Sequence, residues 1–250
     1  MFPGIHVERY GQGDAVFFIH GSGWNTHMWY GQKDYLASSM EVILIDLPGH
    51  GKSTGNGFQS IEAYRDIIHE ILTEIGTGNI YVAGHSLGGA ITLSLALVCP
   101  DLLKGIILIG TGAKLKVLPQ ILDGVIRNKE KTVRHTVEMA FSQKAPLALK
   151  NQAFDEVIQC PVQVISGDFH ACNGFDVMDS LRKITVPTLI VCGTEDALTP
   201  PKYSHHLTNS INGARMVPIE SAGHMVMMEK PGEVNEAIKE FVRNHDVFRG

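Results

Sequence analysis

The sequence predicts an α/β architecture: a mostly parallel, twisted sheet with helices on both faces and a helical insertion in the middle of the chain. Three observations carry this. Short β-branched runs alternate with amphipathic stretches, the pattern of a parallel sheet flanked by helices. Several of those runs are apolar at every position, as strands buried on both faces should be. The alternation fails only between residues 113 and 180. The 250 residues suit one large domain, or one domain with an insertion.

Ala15–Ile19 (AVFFI) and Glu41–Ile45 (EVILI) read as the first two strands. Ser60 is placed to cap a helix whose apolar face carries Ile61, Tyr64, Ile67, Ile68, Ile71, Leu72 and Ile75, and Gly76 to end it. Residues 79–83 (NIYVA) form a strand, a Gly- and Ser-bearing turn follows, and residues 90–98 continue as an apolar helix. Residues 105–109, 187–192 and 214–219 supply three more strands. Pro187 can open a strand because the first residue need not donate to the ladder. Residues 231–244 read as a final helix, with Pro231 in its first turn and Val234, Ala237, Ile238, Phe241 and Val242 on one side. Within the interruption, Leu118, Ile121, Leu122, Val125 and Ile126, then Val133, Val137, Met139 and Phe141, suggest short amphipathic helices. The expected organisation is a core of residues 1–112 and 181–250 with a helical cap at 113–180.

Composition removes several function classes. Lys and Arg number 21 against 26 Asp and Glu, a net charge of −5, so the basic excess of a nucleic-acid binder is missing. The most apolar stretches, 90–98 and 105–110, fall far short of the roughly 20 residues that span a bilayer. The first residues meet charge by Glu8 and show no cationic segment followed by an apolar one, so no signal peptide is expected. Cys99, Cys160, Cys172 and Cys192 have no CxxC or framework spacing and read as free thiols of a cytoplasmic protein. The 12 histidines form no HExxH and no zinc-spaced cluster, so no metal is expected. Gly51-Lys52-Ser53 fails as a phosphate loop because Asp46 stands where the pattern needs glycine. The dinucleotide fingerprint lacks its leading G-x-G, and no cofactor is called for. The oligomeric state is left open.

The strongest local signal is Gly84-His85-Ser86-Leu87-Gly88-Gly89, between a strand and an apolar helix. A serine on a turn this sharp needs strained backbone angles, and small residues two before and two after let strand and helix approach. Serine needs a base to take its proton, and the base needs a third group to fix its tautomer. Asp196 follows one later strand and His224, in Ser221-Ala222-Gly223-His224, follows the last. Both loops lie at the carboxyl ends of strands, where parallel sheets present their sites. Taken singly, Asp196 reads equally as a turn residue, and His224 reads more readily as a helix cap than as a catalyst. Their order after Ser86 is what makes them a candidate triad.

With these residues in view, the chain resembles the α/β-hydrolase superfamily over nearly its whole length outside the insertion. His20-Gly21-Ser22-Gly23-Trp24 is similar to the family's oxyanion loop, and Asp46-Leu47-Pro48-Gly49-His50-Gly51-Lys52-Ser53 to its D-x-x-G-x-G-x-S turn. The resemblance implies Ser86 as nucleophile, Asp196 as acid and His224 as base, with an oxyanion held by the backbone N–H groups of Ser22 and Leu87. It places the insertion where the family carries its lid, so Trp24, Ile121, Val125, Val137 and Met139 are the expected substrate wall. The function expected is a serine hydrolase that cleaves a carboxylic ester of a small apolar substrate. Lactone, enol-lactone and carbon–carbon bond hydrolysis keep the same serine. So does a non-enzymatic ligand receptor, and the fold alone does not choose among these.

Overall fold

The computed structural model describes residues 3–76 and 80–246. Seven strands form one sheet: β1 (Val7–Tyr10), β2 (Ala15–Ile19), β3 (Glu41–Ile45), β4 (Ile80–His85), β5 (Leu103–Ile109), β6 (Thr188–Gly193) and β7 (Arg215–Ile219). Their spatial order is β1-β3-β2-β4-β5-β6-β7, with β1 antiparallel to β3 and every other pair parallel. Six of the seven answer to the expected strands, with ends shifted by a residue or two. Asn79, the expected start of β4, lies outside the described residues, as do Met1 and Phe2. Strand β1 was not expected: its four residues are half-buried or exposed and pair along one edge only, so they lack an apolar signature.

The sheet is covered on both sides because its apolar residues alternate between two cores. Val16, Phe18, Val42 and Leu44 point into one core, which α10 (Pro231–Asp246) covers with Val234, Ile238 and Phe241. Phe17, Ile19, Ile43 and Ile45 point into the other, under α2 (Ile61–Ile75) and α3 (Leu87–Val98). Helix α2 starts as its sequence requires. The Ser60 hydroxyl accepts from the Ala63 N–H at 3.3 Å, and Gly76 ends the helix at φ 123°. Helix α1 (Tyr30–Leu36) follows the β2 loop, α8 (Pro201–Ser210) lies between β6 and β7, and α9 (Val226–Glu229) leads into α10.

The interruption is mostly helical, with loops between the helices and an isolated bridge between Lys114 and Asp176. Between β5 and β6 the chain forms α4 (Pro119–Arg127), α5 (Lys129–Ala140), α6 (Leu147–Val157) and α7 (Val162–Gly174). The ends of this segment meet: Val177 donates its N–H to the Ala113 carbonyl at 2.8 Å, and Lys114 pairs with Asp176. Such a closed stem lets four helices be inserted without disturbing the pairing of β5 with β6.

Candidate active site

The turn between β4 and α3 puts Ser86 at φ 52°, ψ −112°, one of two non-glycine residues with positive φ among those described. Strain of this kind persists only where the surroundings enforce it. Here Ser86 donates its N–H to the Ile109 carbonyl at 3.0 Å, and its own carbonyl accepts from the Thr111 hydroxyl at 2.9 Å. The flanking glycines permit the crossing. A Cβ on Gly84 would sit 2.1 Å from the Gly88 carbonyl oxygen, and one on Gly88 2.2 Å from that of Ile19.

Asp196 and His224, from the loops after β6 and β7, meet each other. The Asp196 Oδ1 accepts from the N–H groups of Leu198 (2.9 Å) and Thr199 (2.8 Å), and its Oδ2 from the Thr199 hydroxyl (2.8 Å) and His224 Nδ1 (2.9 Å). A carboxylate only accepts, so the ring carries its proton on Nδ1. Burial works against the Asp196 charge, yet the His224 ring and the bonds from His224 and Thr199 outweigh it and hold the carboxyl below its ordinary value. Neighbouring Glu195 is exposed, and the carboxylate paired with His224 is that of Asp196. His85 braces the other side: its ring lies 4.5 Å from that of His224, and its Nε2–H donates to the His224 carbonyl at 3.0 Å. Burial drives His85 and His20 well below ordinary histidine basicity, so both are neutral at pH 7. His20 donates from Nδ1 to the Gly21 carbonyl and accepts at Nε2 from the Leu47 N–H, tying the β2 loop to the β3 loop.

Ser86 and His224 line one cavity of about 380 Å³, within the range of small-molecule sites. Ser22 lies on its wall, and Leu87, next to Ser86, is buried. Among the described residues neither the Ser22 nor the Leu87 N–H has an acceptor within the chain. Trp24, Ile121, Val137 and Met139 line the cavity. Val125 does not: it is fully buried where α4 packs on the neighbouring inserted helices α5 and α7, and is absent from the cavity wall. Ile121 and Val125, four residues apart, share one face of α4, but Val125 lies one turn further along the axis, where that face meets packed side chains rather than the cavity. Among the described residues, no three His, Cys, Asp or Glu side chains converge as metal ligands, and no helix is long and apolar enough to cross a membrane.

Two residues of this region had no reading from the sequence. Thr199 carries the Asx-type signature of a hydroxyl three residues after an acid, which a turn pattern could have shown. Asp168 sits among Val164, Ile165, Ala171 and Cys172 on the buried face of α7. A lone acid on an apolar helical face was the available signal.

A sequence model of the α/β-hydrolase fold matches residues 14–231. The chain is 27% identical to a pimeloyl-[acyl-carrier protein] methyl ester esterase of Aeromonas hydrophila, over 95% of this chain and 99% of that protein. A solved thermophilic esterase is 36% identical with a TM-score of 0.87, covering 98% of this chain and 96% of its own. An N-acyl homoserine lactone degrading enzyme is 26% identical with a TM-score of 0.86, covering 95% and 96%.

Proposed function

The chain belongs to the α/β-hydrolase fold family, and from that premise we propose that it is a serine hydrolase acting on a carboxylic ester of a small substrate through an acyl-enzyme on Ser86. The observation that carries the reading is the strained Ser86 sharing a cavity with His224, whose Nδ1–H is held by buried Asp196. With Nδ1 occupied, Nε2 is the nitrogen left to take the Ser86 proton as Oγ attacks the carbonyl carbon. The carbonyl oxygen becomes an oxyanion between the Ser22 and Leu87 N–H groups. These donors are fixed before the reaction, so they stabilise developing charge without reorganising. His224 returns the proton to the leaving alcohol, then activates water to release the acid.

Residues 113–180 serve as the cap in this reading. Their closed stem at Ala113 and Val177, and the helices α4, α5 and α7 that line the cavity, support it. Trp24, Ile121, Val137 and Met139 form the apolar wall that receives the substrate. A cytoplasmic location fits the four free cysteines. The lactone-degrading structural relative supports cyclic esters as a second substrate class, because the same acyl chemistry opens them. A fluorophosphonate probe combined with an ester assay tests the reading. Stoichiometric labelling at Ser86 with many turnovers per site is expected. Labelling elsewhere, or one slow turnover followed by arrest, contradicts it.

A further inference from the structure

Charge is distributed unevenly around the cavity. In a chain of net charge −5, no Asp or Glu side chain lines it among the described residues, whereas Lys116 and Lys202 do. Lys116 leads from the stem into the inserted helices, and Lys202 stands in the first turn of α8. Both are exposed, which places them at the mouth rather than the floor. Neither has a carboxylate partner among the described residues: Lys116 Nζ donates to the Asn173 carbonyl at 3.1 Å, and Lys202 Nζ lies 5.7 Å from the Tyr203 ring. Nearby Lys114, by contrast, is paired with Asp176. Lys116 acts on Asp176 only from beyond ion-pair distance. Two ammonium groups without a carboxylate in contact thus stand over an apolar pocket and favour a ligand that is apolar along its length and anionic at its outer end.

We infer that the substrate is an ester bearing a carboxylate on one arm, such as a half-ester of a dicarboxylic acid, with Lys116 and Lys202 receiving that carboxylate. This rests on the serine-hydrolase reading above. The matched pair monomethyl adipate and methyl hexanoate differs only in a terminal carboxylate against a methyl. The half-ester should be preferred about fivefold in kcat/KM, the size expected of two exposed charge pairs. The preference should shrink in Lys116→Gln/Lys202→Gln and as salt shortens the screening length. Adipate should also inhibit more strongly than hexanoate, an effect lost in the same variant. A ratio at or below one, or a ratio the double substitution leaves untouched, overturns the inference alone. Turnover of neither ester overturns the hydrolase reading and this inference with it.

A separate observation concerns Asp168, fully buried on α7. Its Oδ2 accepts from the Gly23 N–H at 2.8 Å and from His50 Nε2 at 2.8 Å, and its Oδ1 from the Tyr64 hydroxyl at 2.6 Å. His50 also donates from Nδ1 to the Pro48 carbonyl at 3.1 Å, so with both nitrogens donating it is an imidazolium against the carboxylate. One side chain of the inserted helices thus grips the loop carrying Ser22, the turn after β3 and helix α2 together. Gly23 follows Ser22 directly, at φ 70°.

The geometry assigns Asp168 as a positioning residue that holds the Ser22 N–H on the oxyanion site, making that site dependent on a docked α7. Asp168→Asn keeps the shape but loses one of the acceptor positions that three donors require. Its kcat should fall about tenfold with KM changed less than twofold, since an oxyanion donor acts mainly in the transition state. Affinity for a boronic acid that mimics the tetrahedral oxyanion should fall in parallel, while affinity for the neutral alcohol product holds. Tyr64→Phe breaks the same cluster away from Gly23, so it should lower the melting temperature while costing less kcat. Unchanged boronate affinity in folded Asp168→Asn, or equal kcat losses in the two variants, makes Asp168 merely structural and overturns the assignment.

Discussion

Asp196→Asn is isosteric, yet the hydrogen bonds around the site dictate how it must fail. The Leu198 and Thr199 N–H groups at Oδ1 are fixed donors, so the amide oxygen has to face them. The amide NH₂ then takes the Oδ2 position, 2.9 Å from His224 Nδ1. Two donors cannot face each other there, so Nδ1 gives up its proton and the neutral ring carries it on Nε2. The nitrogen that should accept the Ser86 proton now holds one. The expected loss is about 10⁴ in kcat, as for the wrong tautomer in serine proteases, or about 5.4 kcal/mol at about 1.36 per tenfold. Steady-state kcat on a short aryl ester at pH 7 measures it, with the melting temperature as the control for folding. A folded Asp196→Asn enzyme retaining a tenth of wild-type kcat refutes the reasoning. A larger loss in Glu195→Gln moves the acid to its neighbour.

Ser22→Ala keeps the N–H and should cost less than about threefold in kcat; a hundredfold loss makes the hydroxyl a participant and removes the backbone assignment. Acid should unfold the protein in a defined window. His20 and His85 are held neutral, so their burial contributes stability above the unfolded histidine value near 6.5 and loses it as pH falls. Where both bind a proton only when unfolded, the slope is about 2.7 kcal/mol per pH unit, and urea titrations between pH 6.5 and 5 should show it; a flat profile counts against the two neutral rings. His50 has the opposite sign. Burial works against its charge, but Asp168 outweighs it and raises it, so its contribution is complete below about pH 6.5 and fades as pH rises. The cavity of about 380 Å³ should accept short acyl chains, so kcat/KM should fall from butyryl to palmitoyl esters, and a steady rise points instead to an open groove.

What was legible in the sequence followed from sterics and periodicity. Gly84 and Gly88 announce the crossing of β4 and α3 because no other residue fits 2.1–2.2 Å from a carbonyl oxygen. The buried strands show as unbroken apolar runs, and α2 shows through its stripe and both caps. Strand β1 was hidden because an edge strand with exposed residues has no run to display. In the insertion, helical spacing located the apolar stripe but not how far along it the cavity extends, so Ile121 and Val125 seemed equivalent while only Ile121 reaches the cavity. Asp168 and Thr199 act through partners more than 20 residues away in sequence, His50 and Tyr64 for one and His224 for the other. The turn from Asp196 to Thr199 and the lone acid on the apolar face of α7 leave a local trace, but the distant partners are set by the fold.

The central claim is a covalent acyl group on Ser86. Rapid acid quench during turnover of an activated ester, followed by peptide mass spectrometry, tests it directly. The account predicts an acyl mass on the peptide containing Ser86 in wild type, none in Ser86→Ala, and a burst of alcohol release equal to the active sites when deacylation is slower. Undiminished ester turnover in Ser86→Ala, or an acyl group found on another residue, contradicts it.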